Sequence, residues 1–314
     1  MKRREFIAGL GGAALAPGLA RTQVHSPAVI GYLTGTPEKG ERTYTSSLYQ
    51  GLNSQGFVEG RNIEIMFRSA EAHYDQLPML ATELVRRQVA VIFATGGAGA
   101  PLAAKAATTT IPIVFQLGAD PVRIGLVPSL NHPGGNITGV TFLGQALVAK
   151  RLELLREAAP AATTIAFFVN PAAVQVEADI REAESAARVL GVRLLITKLA
   201  AGRELDNALA SIVDQRIGAI LIEADPLFAD LGSKIATWAA QNGVLLMYPF
   251  RDRAVLEAGG LMTYGASLYD TYRIAGGYIG RILNGEKPGD LPVQQSTNVE
   301  LEAFPVILQH SPHD

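Results

Sequence analysis

Three short polar residues, each followed by proline, end apolar runs in this 314-residue sequence. Asp120-Pro121 ends IPIVFQLGADP, Asn170-Pro171 ends TIAFFVNP and Asp225-Pro226 ends AILIEADP. Asp and Asn are good helix N-caps and proline suits the first helical position, so capping alone explains any one pair. Ligands of parallel sheets bind beyond the carboxyl ends of strands, where helix N-termini also point N–H donors. Together the pairs predict a polar cleft, with Asp120 facing Asn170 and Asp225 across it.

A glycine-rich segment supplies the second candidate for ligand binding. Residues 94–106 read ATGGAGAPLAAKA and follow an apolar run, and Asp120 comes about twenty residues later, as in a dinucleotide fingerprint. Leu102 replaces the third glycine of that fingerprint, and the segment follows the third predicted strand instead of the first. The alternative is that Gly97 and Ala98 present backbone amides to a ligand carboxylate. With carboxylates for an ammonium group, the cleft suits a small, polar, zwitterionic ligand.

Catalytic and metal-binding patterns are sparse. The five histidines lack a metal-ligand spacing such as HExxH, GxSxG does not occur, and the absence of cysteine excludes disulfides and thiolate chemistry. Tyr32 and Tyr248 end predicted strands, where an aromatic residue belongs either to the core or to the wall of the cleft. The sequence thus predicts a binding protein with no cofactor and no metal. An enzyme that uses the cleft carboxylates or a nucleotide cofactor remains an alternative.

The elements that position these residues follow a regular alternation of apolar runs and helical patterns. The predicted strands are residues 28–33, 61–68, 89–94, 111–117, 164–169, 192–197, 219–222 and 244–248. Apolar strands separated by helices of ten or more residues indicate parallel sheets covered on both faces. The predicted fold is therefore α/β, with two doubly wound parallel-sheet lobes and a ligand cleft between them.

The N-terminus is typical of an export signal. Arg3-Arg4 precedes a short apolar run diluted by glycine, and Gly18-Leu19-Ala20 resembles a cleavage site. Residues 1–26 are therefore predicted to be a twin-arginine-type signal peptide and lead-in, with the mature protein free in the periplasm and without a lipid anchor. Removal of residues 1–20 takes away three cations and one anion and leaves a net charge of −4. This charge argues against a nucleic-acid partner, and we expect no stable membrane insertion.

Several motifs with near-constant spacing carry a family resemblance from about residue 28 to about residue 300. They are GLNSQGFVEGRNIEI, ATGGAGAPLAAKAATTTIPIVF, GADPV, PGGNITGVTF, ILIEADPLF and EAGGLMTYG. Together they resemble the ABC transporter substrate-binding proteins of the TrpX type, which bind tryptophan or tyrosine. The resemblance implies a type I periplasmic-binding-protein fold with three crossovers, a small-molecule ligand, a permease partner in the inner membrane and a monomeric state. A ligand sensor that feeds a membrane signalling protein is the alternative function.

The resemblance also implies domain boundaries and site positions. Lobe 1 would comprise residues 27–141 and 265–290, including a late helix around Leu268–Leu283, and lobe 2 residues 142–264 and 291–314. The family's site would map onto Gly97 and Ala98 at a helix start and onto the strand-end residues Asp120, Asn170 and Asp225. Tyr32 and Tyr248 would be candidates for the walls of the cleft. This sequence departs from the family pattern at Ala98, where many relatives carry Thr, Ser or Asn, and in its ending, STNVELEAFPVILQHSPHD. That ending is expected to leave the second lobe short of an edge element.

Overall fold

Twelve strands and nine helices form the described part of the chain. The computed structural model describes residues 26–142, 144–250, 253–259, 262–296 and 298–303, so the predicted signal peptide lies outside them except for Ser26. The strands are β1 Ala28–Thr34, β2 Ile63–Ser69, β3 Val91–Thr95, β4 Ile113–Leu117, β5 Ile137–Thr141, β6 Thr164–Val169, β7 Arg193–Lys198, β8 Ala219–Ile222, β9 Leu245–Tyr248, β10 Met262–Ala266, β11 Gln294–Gln295 and β12 Val299–Ala303. The helices are α1 Glu38–Ser54, α2 Leu77–Arg86, α3 Gly99–Ala107, α4 Val148–Ala158, α5 Val176–Leu190, α6 Leu205–Asp214, α7 Leu227–Gln241, α8 Arg253–Glu257 and α9 Leu268–Leu283.

The strands form two six-stranded sheets, one in each lobe. The first has the order β2-β1-β3-β4-β5-β11 and is parallel throughout, with Ile30 of β1 opposite Ile65 on one side and Val91 on the other. The second has the order β7-β6-β8-β9-β10-β12 and is parallel except for its last pair, β10 and β12. The predicted fold class, two doubly wound α/β lobes, is confirmed.

The chain passes between the lobes three times. It leaves the first sheet after β5, returns from β10 into α9, and leaves again between β11 and β12. Helix α9 packs against α1 of the first lobe, and the two helices approach closely because both carry glycine at the contact. A Cβ built on Gly51 would lie 2.1 Å from the carbonyl oxygen of Arg273, and one on Gly276 would lie 2.2 Å from that of Leu48.

The structure corrects the prediction at the C-terminal part of the chain. Residues 291–314 were expected in the second lobe, but Gln294–Gln295 pair with β5 of the first sheet. The expected lack of an edge element is also wrong, since β12 pairs with β10 along Met262–Ala266. Both strands lie at sheet edges, where a strand needs no continuous apolar run, so hydrophobic patterning does not mark them.

Two of the three proline dipeptides do not open a helix. Pro121 begins a turn, and α5 starts at Val176, five residues after Pro171. Pro226 alone of the three directly precedes a helix, as the N-cap of α7. No helix in the described part of the chain combines the length and the apolar character that a membrane span requires.

Candidate functional site

A cavity lies between the two lobes, at the carboxyl ends of strands from both sheets. The first lobe contributes the loop between β3 and α3, the residues after β4, and side chains of α1 and α9. The second lobe contributes the residues after β8 and β9 and the start of α5. Strand ends and helix starts of this kind bring backbone and side-chain polar groups together, as the doubly wound fold requires.

The structure brings four of the predicted site residues to the cavity wall and leaves three away from it. Gly97, Ala98, Asp225 and Tyr248 line the cavity. Asn170 is buried behind Asp225, to which its Nδ2 donates a hydrogen bond of 2.8 Å. Tyr32 and Asp120 are not among the lining residues that the structure describes.

Asp120 stabilises the turn that follows β4. Its Oδ1 accepts hydrogen bonds from the backbone N–H groups of Val122 at 2.9 Å and Arg123 at 3.3 Å. The carboxylate is thereby held by the turn that follows β4, and Asp120 is not among the described residues that line the cavity with Asp225. For this dipeptide, hydrogen bonding within the turn explains the sequence pattern.

Tyr32 lies in a buried hydrogen-bond network of the first lobe that is centred on Glu41. Glu41 is 2 % exposed, and its carboxylate accepts from the hydroxyl groups of Tyr32, Tyr272 at 2.7 Å and Thr34 at 2.8 Å. Burial, followed by the Glu41 charge, raises the pKa of both tyrosine hydroxyls, so they remain protonated donors. The network joins β1, α1 and α9.

The same network continues to the cavity wall. The hydroxyl of Tyr272 lies 3.1 Å from Oγ1 of Thr95, which donates to Oε1 of Gln116 at 2.7 Å. Gln116 in turn donates from Nε2 to Thr271 at 3.0 Å. Glu41, Thr95, Gln116 and Tyr272 line the cavity, so this wall is polar and its side chains are fixed by mutual hydrogen bonds.

Asp225 accepts several hydrogen bonds at the wall that the second lobe contributes to the cavity. Its Oδ1 accepts hydrogen bonds from Asn170 at 2.8 Å, from the backbone N–H of Leu227 at 3.0 Å, and from the hydroxyl of Tyr74 at 2.7 Å. Tyr74 follows β2 in the first lobe, so this last bond joins the lobes. Burial raises the pKa of Asp225, whereas its hydrogen bonds from Asn170 and Tyr74 lower it.

Asp179 is a second buried carboxylate of the cavity wall. It lies in the first turn of α5 and is 3 % exposed, and its Oδ1 has no hydrogen-bond partner among the described residues. Burial raises its pKa to about 7, although Arg151 opposes the increase. Arg151 is 1 % exposed and donates instead to the backbone carbonyls of Tyr264, Gly144 and Pro249.

Aromatic side chains form another part of the wall. The rings of Phe142 and Phe250 meet edge to face with centroids 5.8 Å apart, and those of Tyr248 and Phe250 meet similarly at 6.4 Å. All three residues line the cavity. The cavity therefore combines apolar ring surface with carboxylates and backbone amides.

Small residues of the first lobe lie beside the second lobe next to the cavity, where an added Cβ would make ordinary van der Waals contacts with that lobe. A Cβ built on Gly97 would lie 3.4 Å from Cγ of Pro226, and one on Gly40 would lie 3.7 Å from Cβ of Ala229. Gly97 also has a φ of 91°, which L side chains rarely adopt. Gly97 and Ala98 directly precede α3, as the sequence predicts for this glycine-rich segment. Ala98 is the N-cap, and its side chain makes no hydrogen bond to the helix.

Sequence reasoning missed Glu41, Tyr74, Asp179 and the aromatic pair at positions 142 and 250. A signal existed for the two acids, because each interrupts the buried face of an amphipathic helix. Glu41 shares that face with Leu48 and Leu52, and Asp179 lies beside Ile180 on the buried face of α5. An acid on such a face needs a buried partner or a ligand. The described residues contain no group of His, Asp or Glu side chains that could hold a metal ion.

The comparisons with known proteins match this architecture. Residues 39–309 match the family of ABC transporter substrate binding proteins. The chain belongs to this family. A tyrosine-binding protein of Clostridioides difficile strain R20291 is 26% identical over 253 residues, which cover 80% of this chain and 71% of that protein. The family is one of substrate-binding proteins and not a family of enzymes.

Solved structures share the fold over most of the chain. A conserved domain protein from Vibrio cholerae O1 biovar El Tor superposes with a TM-score of 0.80 at 24% identity, covering 88% of this chain and 92% of that one. The ABC domain in complex with L-Trp from Streptococcus pneumoniae superposes with a TM-score of 0.76 at 22% identity, covering 88% and 91%. The fold is that of the type I periplasmic binding proteins.

Proposed function

We propose that this substrate-binding protein is the periplasmic receptor of an ABC importer and that it closes its two lobes over a small polar ligand, such as an amino acid. The observation that carries the proposal is the interlobe cavity, whose wall combines fixed polar groups of the first lobe with the Asp179 and Asp225 carboxylates of the second. Groups that a wrong ligand leaves unpaired in such a cavity give selectivity.

The cavity has complementary regions for the parts of an amino acid. The uncapped start of α3 at Ala98 suits a carboxylate, because helix N-termini present N–H donors. Phe142, Tyr248 and Phe250 supply ring surface for an apolar side chain. The relatives described as binding tyrosine and L-Trp support this ligand class.

The permease of the importer is the proposed partner, and the periplasm is the proposed location. The family supports the first, and the Arg3-Arg4 leader supports the second. Closure over the ligand would present both lobes to the permease in one fixed arrangement, since the hinge motion is biased by contacts made in the closed state.

A thermal-shift screen of amino acids, nucleosides and small organic acids tests the proposal. A ligand that binds the folded state raises the melting temperature by mass action. Ala229→Trp is the blocking variant, because Ala229 lines the cavity opposite Gly40. Thr237→Trp, at an exposed position of the same helix, is the control. We expect a hit for the wild type and the control but not for the blocking variant. Equal shifts for all three proteins would place the ligand elsewhere.

A further inference from the structure

We propose that Asp179 and Asp225 form an ammonium subsite, so that the receptor selects ligands that carry a protonated amine. The inference deepens the proposed receptor function and rests on it. Its starting point is Asp179, which lines the cavity, is 3 % exposed and leaves Oδ1 without a hydrogen-bond partner among the described residues. A buried carboxylate oxygen without a donor is costly, and a ligand donor would remove that cost.

Arg151 does not fill this role. Its Nε donates to Tyr264 at 2.7 Å, and its two terminal nitrogens donate to Gly144 at 3.1 Å and Pro249 at 3.3 Å. The guanidinium therefore attracts the Asp179 charge but is held by backbone carbonyls of the segments around the cavity. It balances part of the charge and leaves Oδ1 available to the ligand.

Asp225 provides the second acceptor. Its three donors, from Tyr74, Asn170 and Leu227, all use Oδ1, and Oδ2 accepts no hydrogen bond from the described residues. Both carboxylates line the same cavity, and the Asp225 charge raises the pKa of Asp179. A group that donates to both and carries positive charge fits this pair, because it supplies donors and removes the like-charge repulsion.

An ammonium group supplies both the hydrogen-bond donors and the positive charge that the two carboxylates require. Other polar groups do not supply both. A neutral hydroxyl group supplies a donor but does not balance the negative charge that the two carboxylates carry when they are ionised. A carboxylate would add a third negative charge to this wall, and the described lining residues include no Lys, Arg or His. The amine of the ligand, rather than its carboxylate, is therefore the group that the second lobe selects.

A fractionated natural extract tests whether the bound ligand carries an amine. A water extract of yeast is passed over a cation-exchange resin at acidic pH, which retains amines, and the retained and unretained fractions are added to the protein in a thermal-shift assay. We expect the retained fraction to raise the melting temperature. A shift from the unretained fraction alone would overturn the ammonium subsite and keep the receptor. No shift from either fraction or from the whole extract would count against the receptor itself, and the subsite would fall with it.

Matched probes and variants locate the effect at Asp179. Calorimetry compares phenethylamine with phenylpropionate and tryptamine with indolepropionate. We expect each amine to bind about tenfold or more tightly than its acid, and we expect Asp179→Asn to remove this preference. Glu184→Gln, on the exposed side of the same helix, should retain it. Equal binding of amines and acids by the wild type, failure of both amines to bind, or an unchanged preference in Asp179→Asn would overturn the proposal.

Discussion

Tyr74 of the first lobe donates its hydroxyl hydrogen to Oδ1 of Asp225 in the second lobe, at an oxygen–oxygen distance of 2.7 Å. The two residues are 151 positions apart in the sequence, and Asp225 also lines the cavity. One carboxylate therefore links the lobes and lines the cavity. The observed arrangement of the lobes therefore has a stabilising hydrogen bond that does not depend on a ligand.

Tyr74→Phe should shift the unliganded protein toward an open form. Loss of the bond removes about 0.5–1.5 kcal/mol from the closed state and leaves the ring in place. Small-angle X-ray scattering should show a larger radius of gyration for the unliganded variant and an unchanged one with ligand bound. Tyr269→Phe, at an exposed tyrosine, is the control. Identical scattering of Tyr74→Phe and the wild type without ligand would show that this bond does not hold the lobes together.

Asp225→Ala and Asp120→Ala should have different effects, although the sequence presents the two residues alike. Asp225→Ala should weaken ligand binding by about tenfold or more, since a charged hydrogen bond contributes about 1.5–3 kcal/mol. Asp120→Ala should lower the free energy of unfolding by about 1 kcal/mol through the lost hydrogen bonds of the turn and leave affinity unchanged. Urea unfolding and calorimetry of both variants separate the two roles. A loss of ligand affinity in Asp120→Ala would show that Asp120 contributes to ligand binding.

Asp179 should make the unliganded protein less stable as the pH rises. The pKa of its carboxyl is raised to about 7 in the folded state, from 3.8 in the reference state, so the folded protein holds this proton more tightly. The free energy of unfolding therefore falls between about pH 4 and pH 7, by an amount on the order of a few kcal/mol. Arg151, Arg123, Asp225 and Glu182 act on the same group, and Arg151 is the strongest of them.

Asp179→Asn isolates this contribution, because asparagine does not titrate. Urea unfolding midpoints of the variant and the wild type should diverge as the pH rises toward neutrality, with the variant relatively more stable. Glu184→Gln, at an exposed position of the same helix, should follow the wild type. Parallel curves for Asp179→Asn and the wild type would contradict a buried, proton-binding Asp179.

Glu41→Gln should destabilise the first lobe by about 2 kcal/mol. The carboxylate accepts hydrogen bonds from three hydroxyl groups. In glutamine an NH₂ group replaces one of the two oxygens, and because NH₂ cannot accept a hydrogen bond, at least one hydroxyl group would lose its acceptor. Glu38→Gln, at an exposed position of the same helix, should change stability by less than about 0.5 kcal/mol. Thermal unfolding of both variants checks the difference, and equal effects would assign the Glu41 network no structural role.

The sequence was sufficient for the fold and for part of the cavity wall. Strands such as β6 and β8 are apolar throughout, and this pattern has one common origin, a parallel sheet buried on both faces. The strand β5, ITGVT, was missed because a glycine and two threonines dilute its apolar character. Gly97 and Asp225 were found because strand ends and helix starts carry local signals. The role of Tyr74 was not predicted, because its hydrogen bond to Asp225 depends on how the two lobes are arranged and not on a local sequence pattern.

The leader can be tested apart from the binding site. Changing Arg3 and Arg4 together to lysine should block export if the signal is of the twin-arginine type, since that pathway reads the arginine pair. Cell fractionation of the full chain should then find the precursor in the cytoplasm. A single change of Lys2 to Gln is the control. Unchanged export of the double variant would assign the leader to another route.

A crystal structure of the protein with the ligand recovered from the yeast extract tests the central claim most directly. We predict electron density between the lobes, with a ligand nitrogen about 3 Å from the carboxylate oxygens of Asp179 and Asp225. Density outside the interlobe cavity, or a ligand within it that places no nitrogen near these two residues, would contradict the account.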